Sequence, residues 1–317
     1  MRGVFVDEAS LNCNDIDFAG VRAVVPDWQF HDLTTAVQLA DRIAGADIVV
    51  TNKVVLDKRH FAASPALKLI CVAATGYNNI AIDEAGAHGI AVCNVAAYAT
   101  ASVVEHVFAL LLSLTRSMPS YREAVANGQW QRSKQFCLLD FPLMELRGKT
   151  LGIIGSGELG SAVARLAGAF GMHVLFAARP GTPTAADRLP LGELLPRVDV
   201  LSLHCPLNES TRNLIGEAEL ALMKPSAVLI NTARGGIVDE TALLHALQQR
   251  RLAAAAVDVL SVEPPARDNP LLEVSLPNLM VTPHIAWASR EARQRLIDEI
   301  ALNIAAWLNG ERRNRIV

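Results

Sequence analysis

The stretch Thr150-Leu151-Gly152-Ile153-Ile154 runs directly into Gly155-Ser156-Gly157-Glu158-Leu159-Gly160, and then into the helical stretch Ser161 to Phe170. A buried strand, a glycine turn and a helix in that order commit the chain to a parallel βαβ arrangement, because the helix must cross back over the sheet before another strand can start. The turn is also chemically specific. Its glycines let backbone approach a ligand closely, and the helix N-terminus offers unpaired N–H groups, a combination suited to a dinucleotide pyrophosphate. A lone G-x-G-x-x-G is a weak signal; one placed between a strand and a helix is strong.

The same alternation extends to both sides. Val4 to Val6, Val24-Val25, Asp47 to Thr51, Leu69 to Ala73 and Ile90 to Asn94 read as a first series of strands. A second series starts at Thr150 and continues through His173 to Phe176, Val200 to Leu203, Ala227 to Ile230, Ala255 to Asp258 and Leu279 to Val281. Two series of βα units predict two domains, and 317 residues of which 51% are hydrophobic supply two cores. Val103 to Leu114, apolar on most faces, is the expected connecting helix, buried between them. It contains Glu105, His106 and Ser113 and is shorter than the roughly 20 residues that span a bilayer. A final helix from about Ser289 to Asn309 carries Ala292, Leu296, Ile300 and Ile304 on one face.

A net charge of −3 without a Lys/Arg run leaves no footprint for nucleic acid or an anionic membrane, so small molecules are the expected partners. The cysteines Cys13, Cys71, Cys93, Cys137 and Cys205 are odd in number and lack metal spacing. They read as buried small apolar residues in a reducing compartment. Met1 to Asp7 lacks the apolar core of a signal peptide and reads as a first strand, which leads to the expectation of a cytoplasmic protein.

Three segments after apolar runs end in reactive residue types: Asn231 to Gly236 with Arg234, Asp258 to Pro264 with Glu263, and Thr282-Pro283-His284. Open α/β sheets hold their chemistry on loops at strand ends. An Arg fork clamps a carboxylate, a His carries a proton, and a Glu orients that His. Singly, Arg234 also fits a solvated loop residue, Glu263 a turn residue before Pro264-Pro265, and His284 a cap for the helix that follows. Ala74-Thr75-Gly76 after a predicted strand suits close approach of backbone N–H groups to a carboxylate, or an ordinary turn. Lys53, also at a strand end, adds positive charge there or is a solvated surface lysine. His204 and His106 read as hydrogen-bonded structural histidines.

The glycine turn, His204-Cys205-Pro206-Leu207, Asn231 to Glu240, Val257 to Pro264 and Thr282 to Trp287 resemble the D-isomer-specific 2-hydroxyacid dehydrogenase family, through nearly the whole chain. Cys71 to Gly76, Gln135 to Pro142 and His284-Ile285-Ala286-Trp287 are most similar to its glycerate dehydrogenases, also called hydroxypyruvate or glyoxylate reductases. The resemblance implies an α/β protein of two doubly wound parallel-sheet domains with an interdomain cleft. A flavodoxin-like substrate domain would comprise residues 1–99 plus 288–317, and a Rossmann coenzyme domain 100–287. Within the latter, residues 118–146, too apolar for a free loop, would form an arm that packs on a second subunit, giving a homodimer; an arm folded on its own domain is the alternative.

The resemblance also assigns roles. His284 is the expected proton donor, Glu263 fixes its tautomer and stabilises the imidazolium, and Arg234 holds the substrate carboxylate. Ala74, Thr75, Gly76 and Trp287 join Arg234 and His284 around a compact 2-keto acid, hydroxypyruvate or glyoxylate, reduced to D-glycerate or glycolate. Thr100, Gly155, Gly157, Glu158, Leu159, Gly160, Cys205, Pro206, Thr232, Ala233 and Asp258 would hold the coenzyme, Asp258 by accepting from the nicotinamide carboxamide. No metal is expected.

One position departs from the usual pattern. An acid about 20 residues past the glycine turn normally binds the ribose 2′-OH. Here Ala177-Ala178-Arg179-Pro180-Gly181-Thr182 follows the strand, with Ala178 in that place and Arg179 beside it. NADP(H) is therefore expected to be preferred, with NAD(H) possible; the competing reading has Arg179 on adenine or in solvent.

Among relatives, phosphoglycerate dehydrogenases commonly carry an added regulatory domain, and the chain stops at Val317 without one. Formate dehydrogenases replace the glutamate with glutamine, which Glu263 argues against. Phosphite dehydrogenase keeps a similar triad. The corepressors of this fold use it as a nucleotide-sensing module, and the lack of disordered flanks disfavours that role.

Overall fold

The computed structural model describes residues 1–11, 13–179 and 187–317. They form two compact units, Met1–Ala99 with Trp287–Val317, and Thr100–Ala286. The division falls before Trp287 and not after it. The indole packs within the first unit, edge-on to Tyr98 with 6.4 Å between ring centroids, beside a core containing Phe5 and Leu296.

The first unit holds β1 (Arg2–Phe5), β2 (Asp27–Phe30), β3 (Ile48–Thr51), β4 (Leu69–Val72) and β5 (Ala91–Cys93), all parallel in the order β2-β1-β3-β4-β5. Every side chain of β3, β4 and β5 is buried. Alternate residues reach opposite faces: Ile48 and Val50 join Leu69, Cys71 and Leu296 on one side, whereas Val49 joins Ile70, Leu39 and Phe61 on the other. That two-sided burial explains the unbroken apolar runs, since each Ile or Val contributes about 1.5–3 kcal/mol only when covered.

Val24-Val25 is not a strand. Val24 ends the helix Ala19–Val24, and the strand lies at Asp27–Phe30. As the edge of the sheet, β2 is half-solvated, so its sequence Asp-Trp-Gln-Phe lacks a β-branched run. The helix Arg290–Leu308 buries Leu296, Ile297, Ile300 and Ile304 against this unit, and Ser289, not His284, caps it by accepting from Ala292 N at 3.2 Å. The last residues then cover the opposite edge, where Ile316 N donates to Val92 O at 2.7 Å.

The second unit holds β6 (Thr150–Ile154), β7 (His173–Ala177), β8 (Arg188–Leu189), β9 (Val200–Leu203), β10 (Val228–Asn231), β11 (Ala254–Val257) and β12 (Leu279–Val281), parallel in the order β12-β11-β10-β9-β6-β7-β8. The order reverses at β6, so the loops after β6 and β9 diverge and leave the crevice in which such sheets bind ligands. The two-residue β8 at the edge is too short to leave a periodic signal.

The helix Thr100–Thr115 buries Val103, Val107, Leu110 and Leu111 within this second unit. No single helix among the described residues is long and apolar enough to cross a membrane. After it come the helices Met118–Ala126 and Gln129–Arg132 and an extended stretch. Tyr121 Oη donates to Phe141 O at 2.9 Å and Trp130 Nε1 to Phe136 O at 2.9 Å, yet Phe136 and Leu139 remain 90% and 77% exposed. The cysteine expectation needs correction: Cys71, Cys93 and Cys205 are buried within or directly beyond sheet strands, but Cys13 is exposed and Cys137 half-buried, each in a loop away from the sheets.

Candidate active site

The glycine turn is shaped by contact with the neighbouring strand. Gly155 has φ +97°, and a Cβ there would lie 2.5 Å from the backbone of His204, just past β9. Gly160 is as tightly held, its Cβ position 1.9 Å from Gly155 O. Gly157 is different, with nothing within 4 Å of where its side chain would be. The turn is therefore closed against protein on one side and open at Gly157, where the exposed Glu158 and half-buried Leu159 begin the 12-residue helix Glu158–Ala169. That opening, lined by helix N–H groups, fits the pyrophosphate of a dinucleotide.

Cys205, Thr232 and Ala233 are buried beyond the ends of β9 and β10, where Leu203 pairs with Asn231; Pro206 is exposed. Thr232 Oγ1 and His204 Nδ1 are shielded and have no hydrogen-bond partner among the described residues. Unsatisfied polar atoms at this end of the sheet also fit a polar ligand. Thr100 is the first residue of its helix. After β7, Ala178 N donates to Leu189 O at 2.7 Å and Arg179 is exposed. Pro180, Gly181 and Thr182 lie outside the described residues.

Burial pushes the His204 pKa down from the ordinary 6.5 to about 4, while Nε2 pairs with Ser202 Oγ at 2.8 Å. Between these pH values the unfolded chain takes up a proton that the folded chain refuses. The associated stability is fully present above pH 6.5 and is lost as the pH falls toward 4, up to about 3 kcal/mol in all. His204→Gln, which keeps a polar group without this titration, is expected to flatten the acid limb of stability measured by urea unfolding from pH 7 to 4.5. An acid limb as steep as the native one would refute this.

His284, Glu263 and Arg234 all stand on loops at the carboxyl ends of β12, β11 and β10, which are neighbours in the sheet. His284 Nδ1 meets Glu263 Oε2 at 2.6 Å, short enough for a charge-assisted bond. The other carboxylate oxygen, Oε1, accepts from Leu260 N at 2.9 Å, so the glutamate is itself oriented. Their side chains are 29% and 35% exposed, leaving the pair reachable. Arg234 is exposed, and its Nη1 donates to Ala233 O at 2.7 Å. Asn231 shapes that loop, donating from Nδ2 to Arg234 O and accepting from Ala233 N.

The loops are locked to one another. A Cβ on Gly235 would fall 1.9 Å from Leu260 O, so only glycine lets the Arg234 loop lie against the Glu263 loop. His284 adopts φ +55°, unusual for a residue with a side chain, and its N–H donates to Asp258 O at 2.8 Å.

Asp258 has a different placement from the expected contact with a nicotinamide carboxamide. Its side chain is fully buried, Oδ1 accepting from Thr282 Oγ1 at 2.6 Å and Ile285 N at 2.9 Å, and Oδ2 from Ala286 N at 2.9 Å. Burial opposes its charge, but hydrogen bonds from His106, Thr282, Ala286 and Ile285 outweigh that and hold its pKa below the usual carboxylate value. The carboxylate thus fixes the turn that carries His284. His106 Nε2 meets Thr282 Oγ1 at 3.1 Å, and Ser102 Oγ donates to Ala286 O at 2.7 Å, tying the same turn to the helix. Sequence reasoning also missed Glu240, which accepts from Ser261 N at 2.6 Å and Asn269 Nδ2 at 2.8 Å and so steadies the Glu263 loop. Its only signal was a place at a helix start.

In the first unit, Ala74 is buried and Thr75 and Gly76 follow it at the end of β4. Thr75 Oγ1 donates to Val95 O at 2.9 Å, and Asn94 Nδ2 to Thr75 O at 2.7 Å. The backbone N–H groups of Thr75 and Gly76 have no protein acceptor among the described residues, as an anion-binding turn requires.

These loops define a class: an oxidoreductase that works on a nicotinamide dinucleotide, with acid–base residues on the same sheet. Comparison with known proteins narrows it. Residues 108–286 match the family described as D-isomer specific 2-hydroxyacid dehydrogenase, NAD binding domain. A glycerate dehydrogenase of Methylorubrum extorquens is 42% identical over 317 residues, covering 98% of this chain and 97% of its own. A hydroxypyruvate reductase of Blautia hydrogenotrophica is 37% identical over 316 residues, covering 98% of each. A solved acyclic imino acid reductase in complex with NADPH and D-Arg has a TM-score of 0.87 at 30% identity, covering 100% of both chains. The chain belongs to the D-isomer-specific 2-hydroxyacid dehydrogenases, enzymes that interconvert 2-keto and D-2-hydroxy acids with a nicotinamide coenzyme.

Proposed function

We propose that this enzyme reduces hydroxypyruvate or glyoxylate, giving D-glycerate or glycolate, and prefers NADPH. The observation that carries the assignment of roles is the 2.6 Å contact between His284 Nδ1 and Glu263. It gives Nε2 the proton that goes to the keto oxygen, and the carboxylate stabilises the ring while it is charged. The bound coenzyme supplies the hydride that C2 receives. Arg234 holds the substrate carboxylate and polarises the keto group, and the N–H groups of Thr75 and Gly76 take the same carboxylate from the substrate domain, Met1–Ala99 with Trp287–Val317. Gly155, Gly157 and Gly160 receive the pyrophosphate. Trp287 limits the size of the substrate. The substrate names of the relatives and the subgroup motifs support the compact acids.

Preference for NADPH rests on Ala178 and Arg179. With Ala178 where the acid normally stands, the repulsion of a 2′-phosphate by that acid is absent, and Arg179 offers a charge-assisted bond of about 1.5–3 kcal/mol, about 10- to 150-fold in affinity. The NADPH in complex with the solved imino acid reductase supports the same choice. Steady-state kcat/KM with both coenzymes is expected to favour NADPH, and Arg179→Ala should harm NADPH selectively. A native preference for NADH, or equal losses with both, overturns it. The exposed Trp130, Phe136 and Leu139 of the 118–146 arm support a homodimer, and the cytoplasm is the proposed compartment.

The test of the whole reading is a panel of small 2-keto acids with each coenzyme, followed by absorbance of the reduced nicotinamide. Turnover of hydroxypyruvate or glyoxylate is expected; turnover of neither removes the reading.

A further inference from the structure

The turn at Ala74–Gly76 is held from the end of the neighbouring strand. Asn94 lies just past β5 and is buried. Its Nδ2 donates to Thr75 O at 2.7 Å, while Val95 N donates to Ala74 O at 3.1 Å. In a trans peptide the carbonyl and the following N–H point in opposite directions. With both carbonyls turned toward residues 94 and 95, the N–H groups of Thr75 and Gly76 both face away from them, and neither has a protein acceptor among the described residues. The first peptide is set by backbone and the second by a side chain. Glycine at 76 tolerates either setting of that second peptide, so the choice falls to the Asn94 carboxamide.

Asn94 is braced in turn. Asn303, buried in the helix Arg290–Leu308, donates from Nδ2 to Asn94 O at 3.0 Å. Its Oδ1 accepts from Arg313 Nη1 at 2.6 Å and from Asn314 Nδ2 at 3.0 Å, two donors that fix which end of the amide faces Asn94. Arg313 also pairs with Glu299 at 2.7 Å, and Asn94 N donates to Asn314 O at 3.2 Å. A line of contacts thus runs from Arg313 and Asn314 through Asn303 and Asn94 to the Thr75 carbonyl. Buried amides are costly unless partnered, and partners arranged in series admit one geometry.

We infer that Asn94 is a positioning residue for the substrate carboxylate, holding the Thr75–Gly76 peptide with its N–H toward the anion, and that Asn303 supports it. The inference rests on the keto-acid reading above. Without the amide donor the peptide can turn over, and a carbonyl oxygen then faces the carboxylate where an N–H stood. That carboxylate keeps its charge throughout the reduction, so the contact is as strong before hydride transfer as during it. Its loss raises KM and leaves kcat.

The experiment measures kcat and KM for hydroxypyruvate and glyoxylate, with coenzyme affinity by fluorescence titration, in the native enzyme and in Asn94→Ala, Asn94→Leu and Asn303→Asp. Leucine matches the volume of asparagine and removes the donor alone. Both Asn94 variants are expected to raise KM for both acids by about tenfold or more, the scale of one hydrogen bond to a charged group. Asn303→Asp keeps an acceptor for Arg313 and Asn314 but loses the donor to Asn94 O, and should raise KM in the same direction by about threefold. In all three kcat stays within about threefold of native and coenzyme affinity is unchanged. A folded Asn94 variant with native KM, or with kcat lowered and KM unmoved, overturns the inference. Should neither Asn94 variant fold, native KM in Asn303→Asp overturns it. Native reduction of neither acid would remove the keto-acid reading itself, whereas reduction with KM unmoved across the variants removes the Asn94 inference alone.

Discussion

In His284→Ala, kcat for keto-acid reduction falls by about 10²–10⁴, the range for loss of a positioned proton donor, while coenzyme still binds. The expectation follows from the division of work between the ring nitrogens. Nδ1 is engaged by Glu263 Oε2 at 2.6 Å, which sets the tautomer and leaves the transfer to Nε2. Alanine removes the proton carrier but leaves the glycine turn, on other strands of the sheet, as it was. Stopped-flow turnover and a fluorescence titration of the coenzyme read the two effects separately. If kcat stays at the native value, the proton comes from elsewhere and the assignment fails.

Arg234→Lys is the second large effect. The charge is kept, but the planar fork that grips both carboxylate oxygens is lost, at about 1.5–3 kcal/mol in substrate recognition. That corresponds to about 10- to 150-fold in kcat/KM. The loss should appear with any 2-keto acid and not with coenzyme alone. Normal kcat/KM for hydroxypyruvate in this variant would return Arg234 to the status of a solvated surface residue.

The βα alternation was legible because strands covered on both faces must be almost wholly apolar, and β4, β5 and β11 are apolar throughout. The edge strand β2 was not, since a half-solvated strand obeys no such rule. The glycine turn was readable from its strand and helix neighbours alone. Arg234, Glu263 and His284 could be picked out as reactive types at strand ends, but their roles came from resemblance, because spacing along a chain says nothing of which loops touch. Asp258 shows the limit: its residue type suited a ligand contact, and only packing reveals that both oxygens hold the His284 turn. Asn94 and Glu240 were silent for the same reason, their partners lying 19 and 21 residues away along the chain.

The contact between Gly235 and Leu260 has a consequence for how such enzymes diversify. With no room for a methyl group between the two loops, any change that replaces Gly235 must push the Arg234 loop off the backbone of the Glu263 loop and disturb both together. The segment after β7 lies beside the edge strand β8 and carries no such interlock among its described residues. Changes after β7 can therefore accumulate without disturbing the seat that the Arg234 and Glu263 loops share.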